Sequence, residues 1–272
     1  MFNDFKIYLE IPSENIKISD FDMSFEVRKS LNFEPNFASV SLWNFDENLY
    51  QIFAQTTDDV NLIYSKNGIE HTIFRGNVET KKIGRKYICV SKNSEDIFSK
   101  ISLIGLKNKI DNLQINRNYL SKISTTQILK DCSEVMNLGF IADEKNLPFK
   151  EFPYAKISGS PYSIISNICK NLSLKFYVEN DFFCVFSPLK NNASSSYKFN
   201  SNNSKLIRLD DTDFEIISDF IPDVNFSNRI ECDFENLSGI FMPEEIIVVG
   251  DNFCNGIKMH IILGGSYEEK NS

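Results

Sequence analysis

His71 and His260 are the only histidines in this 272-residue chain. They lie far apart in sequence. His71 follows a turn and His260 falls inside the alternating run KMHIIL, so each reads as a structural or surface residue, not a general base. The six cysteines are Cys89, Cys132, Cys169, Cys184, Cys232 and Cys254. None forms a CxxC pair and each has apolar neighbours, which suits buried free thiols. Neither histidine adjoins a cysteine, so no zinc site is expected. Asp210-Asp211-Thr212-Asp213 is the densest carboxylate cluster. It lacks the alternating acid–glycine order and the downstream glutamate of a calcium loop, and reads as a solvated turn. Asp58-Asp59 and Glu268-Glu269 read as solvated charge pairs. There is no nucleophile elbow, HExxH, P-loop or GxGxxG. The sequence therefore offers no catalytic, cofactor-binding or metal residue, and the expectation is a protein that is not an enzyme and carries no cofactor.

Composition agrees with an ordinary globular chain: 42% hydrophobic and 24% charged residues. No run of eighteen apolar residues occurs, so no membrane insertion is expected. The first residues, MFNDFKIYLEIP, lack the pattern of a secretory signal. Net charge is −8, and Lys and Arg are scattered, which disfavours sequence-specific nucleic-acid binding through a broad basic surface.

Three groups of elements would have to position any site. Ile7, Leu9 and Ile11 alternate as a strand ended by Pro12. From Phe21 to Phe53 the chain reads FDMSFEVRKSLNFEPNFASVSLWNFDENLYQIF. Phe21, Met23, Phe25 and Val27 alternate, Glu34-Pro35 breaks the pattern, and Ala38, Val40 and Leu42 alternate again, with Trp43 and Phe45 assigned to the other face. Asp46-Glu47-Asn48 then opens a short helix with Leu49, Ile52 and Phe53 on one stripe. Lys66-Asn67-Gly68 predicts a tight hairpin. Residues 1–105 thus read as a closed or nearly closed antiparallel barrel.

Residues 106–189 change character. Ser124-Thr125-Thr126-Gln127 predicts a capping box, Ile128 to Met136 a buried stripe, and Gly139 a helix end. Ser160-Pro161 opens a second helix, and Leu174 to Phe186 a hairpin about Glu179-Asn180-Asp181. Asn191 to Ser204, NNASSSYKFNSNNS, reads as a linker (190–204). Strand signals return over 205–272. The fold class is β-rich α+β: two antiparallel β-barrel units flanking a small helix-helix-hairpin domain.

Phe25, Val27, Lys29, Pro35, Asn36, Ala38, Val40, Leu42 and Asn44 together resemble the opening of phage tail baseplate hub proteins. These include the Mu-like hub, the late control protein D family and the hubs of contractile injection systems. Ile73, Phe74, Gly76 and Val78 resemble a recurrent barrel strand of that family. STTQILKDCSEVMNLGF and SPYSIISNICKNLSLKFYVENDFFCVF follow its middle segment in the correct order, and NRIECDFENLSGIFMPEEIIVVGDN resembles its last barrel. Pro243 is followed by Glu244 where the family often has glycine. The resemblance implies tube-like barrels and a homotrimeric ring that joins the tail tube to the central spike among other baseplate proteins. The implied location is the virion tail, assembled in the bacterial cytoplasm. Glu26, Arg28 and Lys29 are the candidate subunit or tube contacts.

Two other readings stay open. The middle segment would suit a peptidoglycan-binding or cell-wall hydrolase module, with Tyr154, Tyr162 and Tyr177 as stacking candidates. A distal-tail or tube-initiator protein would carry the same barrel.

Overall fold

The computed structural model describes residues 5–31, 35–79, 84–91, 94–105, 113–142, 147–148, 150–188, 196–210, 213–253 and 256–267, with backbone alone for 85–91, 94–95 and 265–267. The N-terminal unit runs β1 (Phe5–Ile11), β2 (Ile16–Ile18), β3 (Met23–Ser30), β4 (Phe37–Trp43), α1 (Glu47–Gln55), β5 (Asp59–Lys66), β6 (Ile69–Val78), β7 (Gly84–Ser91) and β8 (Ser94–Ile104). Local chemistry accounts for its corners. Asn67 and Gly68 both take positive φ (53° and 80°), the primed turn the sequence predicts between β5 and β6. The Asp46 carboxylate accepts from the amides of Asn48 and Leu49 and starts α1. Gly76 is required because a Cβ there would sit 2.6 Å from the Ile104 carbonyl oxygen of β8. The predicted placement of Phe45 beside Trp43 is corrected. Asn44 has φ 54°, which breaks the alternation. Phe45 enters the core against Phe21 and Phe53, while Trp43 stays on the outer face with Phe98 and Phe253.

The middle unit contains β9 (Ile115–Tyr119), β10 (Ile123–Ser124), α2 (Thr125–Val135), β11 (Gly139–Ala142), β12 (Glu151–Phe152), β13 (Ala155–Gly159), α3 (Pro161–Asn171), β14 (Lys175–Glu179) and β15 (Phe182–Phe186). It has its own core, in which Ile128, Leu129 and Cys132 of α2 meet Ile165 and Cys169 of α3 over Phe176 and Phe183. Half of the expected capping box forms. The Ser124 hydroxyl accepts from the Gln127 amide, but the Gln127 side chain turns to Asp131. The helix end is corrected from Gly139 to Asn137, which holds the left-handed conformation (φ 56°), while Gly139 begins β11.

The C-terminal unit is β16 (Ser196–Asn200), β17 (Ser204–Arg208), β18 (Phe214–Asp219), β19 (Arg229–Phe234), β20 (Leu237–Asp251) and β21 (Ile257–Tyr267). The linker reading of 190–204 is corrected here. Tyr197 and Phe199 alternate with polar residues, and 196–200 pairs in parallel with β19, burying Phe199. The Asn and Ser around them hid that two-residue period. Pro243 sits inside continuous β20, at a bulge where the register with β21 shifts between Pro243 and Glu245. The Glu244 carboxylate lies over Gly264, at the place a Cβ of residue 264 would take. A glutamate can therefore follow the proline because glycine stands opposite.

The two β units share one fourteen-stranded sheet and one hydrophobic core. Their junction is the antiparallel pair β3–β20, in register from Ser24↔Asp251 to Ser30↔Glu245. Asn252 closes its end: its side chain accepts from the Met23 amide and donates to the Phe21 carbonyl, both at 2.8 Å.

Candidate functional site

The feature that could act on a partner is the outward face and the two ends of one run of strands. The order is β7-β8-β4-β3-β20-β21-β18-β17. Ser99 pairs with Leu42 on one side and Arg85 on the other, which places β4 and β7 on opposite flanks of β8. Among the described residues β7 pairs only with β8 and β17 only with β18. Each is therefore an end of the run among the described residues, the position at which strand addition takes place.

The inner face of this run is the core: Phe25 and Val27, Val40 and Leu42, Val248, Ile261. Period-two alternation sends the intervening residues outward. There Arg28 meets Glu26 (2.6 Å) and Glu245 (3.7 Å), Lys258 meets Asp219, and His260 Nδ1 meets Glu215 at 2.8 Å across β18–β21. Half-buried Ile217, Ile247, Val249 and Ile262 lie between these pairs. The result is a mixed, largely charge-paired wall. A cleft of about 440 Å³ opens at its foot, between Arg28, Phe37, Glu245 and Ile262 on the sheet and Lys175 of the middle unit.

Of the three expected contact residues, Glu26 and Arg28 lie on this wall with 45% and 56% of their side chains exposed. The expected exposure of Lys29 is corrected. It shares the face of Val27, its side chain is 12% exposed, and its ammonium pairs with Glu179 in the middle unit. Alternation alone carried that signal, because positions 23, 25, 27 and 29 fall on one side of β3. Arg75 on β6 likewise pairs with Asp181, and the Asn36 side chain donates to the Val178 carbonyl at 2.9 Å. The β14–β15 turn is thus clasped by three side chains of the N-terminal unit.

The other candidates scatter. His71 packs loosely against Tyr64 and takes no part in the His260–Glu215 pair. The Asp210 carboxylate accepts from the Asp213 amide, closing a turn as expected, while 211 and 212 lie outside the described residues. No group of three or more metal-ligating side chains occurs among the described residues. Cys132, Cys169, Cys184 and Cys232 are buried free thiols, and burial pushes each up to about 12. Cys89 and Cys254 fall where side chains are not described. The three tyrosines form no platform. Tyr177 is buried against Phe186 and Phe226, and Tyr154 and Tyr162 flank the two ends of β13, a strand about 16 Å long. Among the described residues no helix is long and apolar enough to cross a membrane.

No family model and no curated protein sequence matches the chain. Solved structures do. A tail protein from Neisseria meningitidis superposes with a TM-score of 0.64 at 8% identity, covering 96% of this chain and 97% of that one. The 43 kDa tail protein of prophage MuSo2 from Shewanella oneidensis gives 0.58 at 12% identity over 95% and 96%. The E. coli c3393 protein, a type VI secretion component described as similar to the phage tail proteins gp27 and gp5, gives 0.57 at 8% identity over 96% and 77%. The fold is therefore the β-rich α+β fold found in phage tail proteins.

Proposed function

We propose that this chain is the baseplate hub of a phage tail or phage-derived injection particle, of the Mu-like and late control protein D kind. It works by assembly and has no catalytic turnover. In this reading 1–105 and the C-terminal unit from β16 onward are two tube-like barrel units, and 106–189 is a peripheral domain between them in sequence. The observation that carries the proposal is the eight-strand run that ends, among the described residues, in β7 on one side and β17 on the other. Joining β17 of one copy to β7 of the next is a heterologous, head-to-tail contact, which makes a ring if the rotation closes. Three copies would close twenty-four strands. At about 4.8 Å per strand the circumference is about 115 Å and the diameter about 37 Å before tilt widens it, so the ring encloses a channel.

Closure also removes the exposed edges that would otherwise template aggregation. The two barrel units give each trimer six similar walls, which suits a six-fold tail tube on one side and a three-fold spike on the other. Glu26 and Arg28 then line the channel. The hub sits in the virion tail among the other baseplate proteins and assembles in the bacterial cytoplasm.

A cysteine at Ile207→Cys on β17, combined with single cysteines stepped along β7, tests the join. Disulfide-linked species that stop at three chains support it. Ladders that run on without stopping, or no linkage at any register, contradict it. Clearing of peptidoglycan in a zymogram would instead favour a cell-wall hydrolase.

A further inference from the structure

The middle unit ends in an apolar knob that its own chain does not cover. Ala155 pairs with Tyr119 and Phe152 with Ile123, so Leu120 and Tyr154 adjoin the first of these pairs where the β9–β13 ribbon passes into β10–β12. Leu120 is 93% exposed and Tyr154 74%, with Phe152 beside them. Tyr119 and Ala155 point the other way, against the core of the middle unit. Exposed Leu and Tyr just beyond the paired ends of one ribbon are an unusual use of a solvated surface, and a tyrosine with apolar neighbours is a common anchor of protein interfaces.

The charge around this knob says what would cover it. Lys122, Lys150 and Lys156 border it, and Glu151 is the acidic residue among them, paired with Lys122. The chain as a whole is polarised in the same sense. Residues 106–189 hold ten Lys and Arg against eight Asp and Glu, whereas residues 205–272 hold five against fourteen. The acidic turn of the middle unit is already used within the chain, where Lys29 and Arg75 hold Glu179 and Asp181. The C-terminal β unit keeps a large excess of carboxylates over its own cations, even with Glu215, Asp219 and Glu245 paired, and is the oppositely charged surface.

We propose that Leu120 and Tyr154 dock on the C-terminal β unit of a second copy of this chain, with the lysine rim facing its carboxylates. The inference rests on the ring reading and adds a second contact between neighbours, outside the strand join. Opposite charge would steer and orient the docking, and the apolar pair would supply its holding strength.

A photo-crosslinker replacing Leu120 in the full-length protein tests this, with adducts mapped by mass spectrometry. The expected result is an intermolecular adduct to peptides within 205–272, reduced at least fivefold in Lys122→Glu/Lys156→Glu protein and at high salt. An adduct to the middle unit of the other copy, or to no second chain in a sample that light scattering shows to be oligomeric, overturns the inference and leaves the ring intact. A monomeric sample overturns both. Because both side chains are exposed, Leu120→Ser/Tyr154→Ser should keep the wild-type melting temperature. It should also fall apart at a protein concentration at least tenfold higher than wild type, and an unchanged dissociation profile would count against the knob.

Discussion

Val27 on β3 lies directly opposite Val248 on β20, and both side chains are buried. One belongs to the first hundred residues and the other to the last forty, yet they face the same core. The two β units are therefore packed around one core and not joined as two beads on a string.

That relationship gives a thermodynamic prediction. Val248→Ala removes two buried carbons and leaves a small cavity, costing about 2 kcal/mol. The single tryptophan, Trp43, sits on β4 in the other unit. Its fluorescence should report a lower denaturation midpoint in Val248→Ala protein by the same amount as circular dichroism does. A Trp43 transition that ignores the substitution would mean independent β units.

The clasp on the middle unit gives a local prediction. Lys29→Met removes the largely covered cation from Glu179, and Arg75→Met removes a more exposed one from Asp181. We expect faster hydrogen exchange over 175–186 in either variant, with the N-terminal strands unchanged in Lys29→Met. Arg75→Met should also loosen β5–β6, where Arg75 holds Asp59 at 3.0 Å. The double variant should exceed either single one. Equal exchange in all proteins would show that the apolar contacts of Tyr177 and Phe186 hold this hairpin alone.

Much of this architecture is legible in the sequence, and the misses have definite causes. The caps at Asp46, Ser124 and Ser160 and the turn at Asn67-Gly68 are local chemistry, and each appears where its residues stand. The strand at Ser196–Asn200 hid among Asn and Ser because its apolar period is only two residues long. Lys29 looked like a surface residue by type, although its position on the strand put it inside. The β3–β20 pairing joins residues more than two hundred positions apart, and no local pattern encodes such a partner. That β7 and β17 end the eight-strand run, on which the proposed function rests, becomes visible only once the long-range pairings of the described strands are known.

Asp131 provides a pH test. Burial pushes its carboxyl up, but bonds from the Tyr119 hydroxyl, Gln127 and Arg117 outweigh that and hold it below the usual carboxylate range. A lowered folded-state pKa contributes stability above the unfolded value and loses it as pH falls through the folded value. The middle unit should therefore weaken with acid below the ordinary aspartate range. Asp131→Asn should cost about 2 kcal/mol at neutral pH and flatten that acid limb. An unchanged acid limb in the variant would remove Asp131 from the explanation.

The thiols give a kinetic check. Cys132, Cys169, Cys184 and Cys232 are buried and held protonated, their pKa values pushed up to about 12 by that burial. Native protein should leave these four unmodified by a thiol reagent at neutral pH on a timescale where denatured protein reacts completely. Mass mapping of rapid modification at any of the four would contradict their placement.

The claim of a ring rests most directly on mass. Light scattering of the purified chain at micromolar concentration should give three times the 31.3 kDa protomer, with ring-shaped particles in electron micrographs. A single-chain mass at that concentration, unchanged on concentrating the sample, would contradict the ring and the hub function built on it.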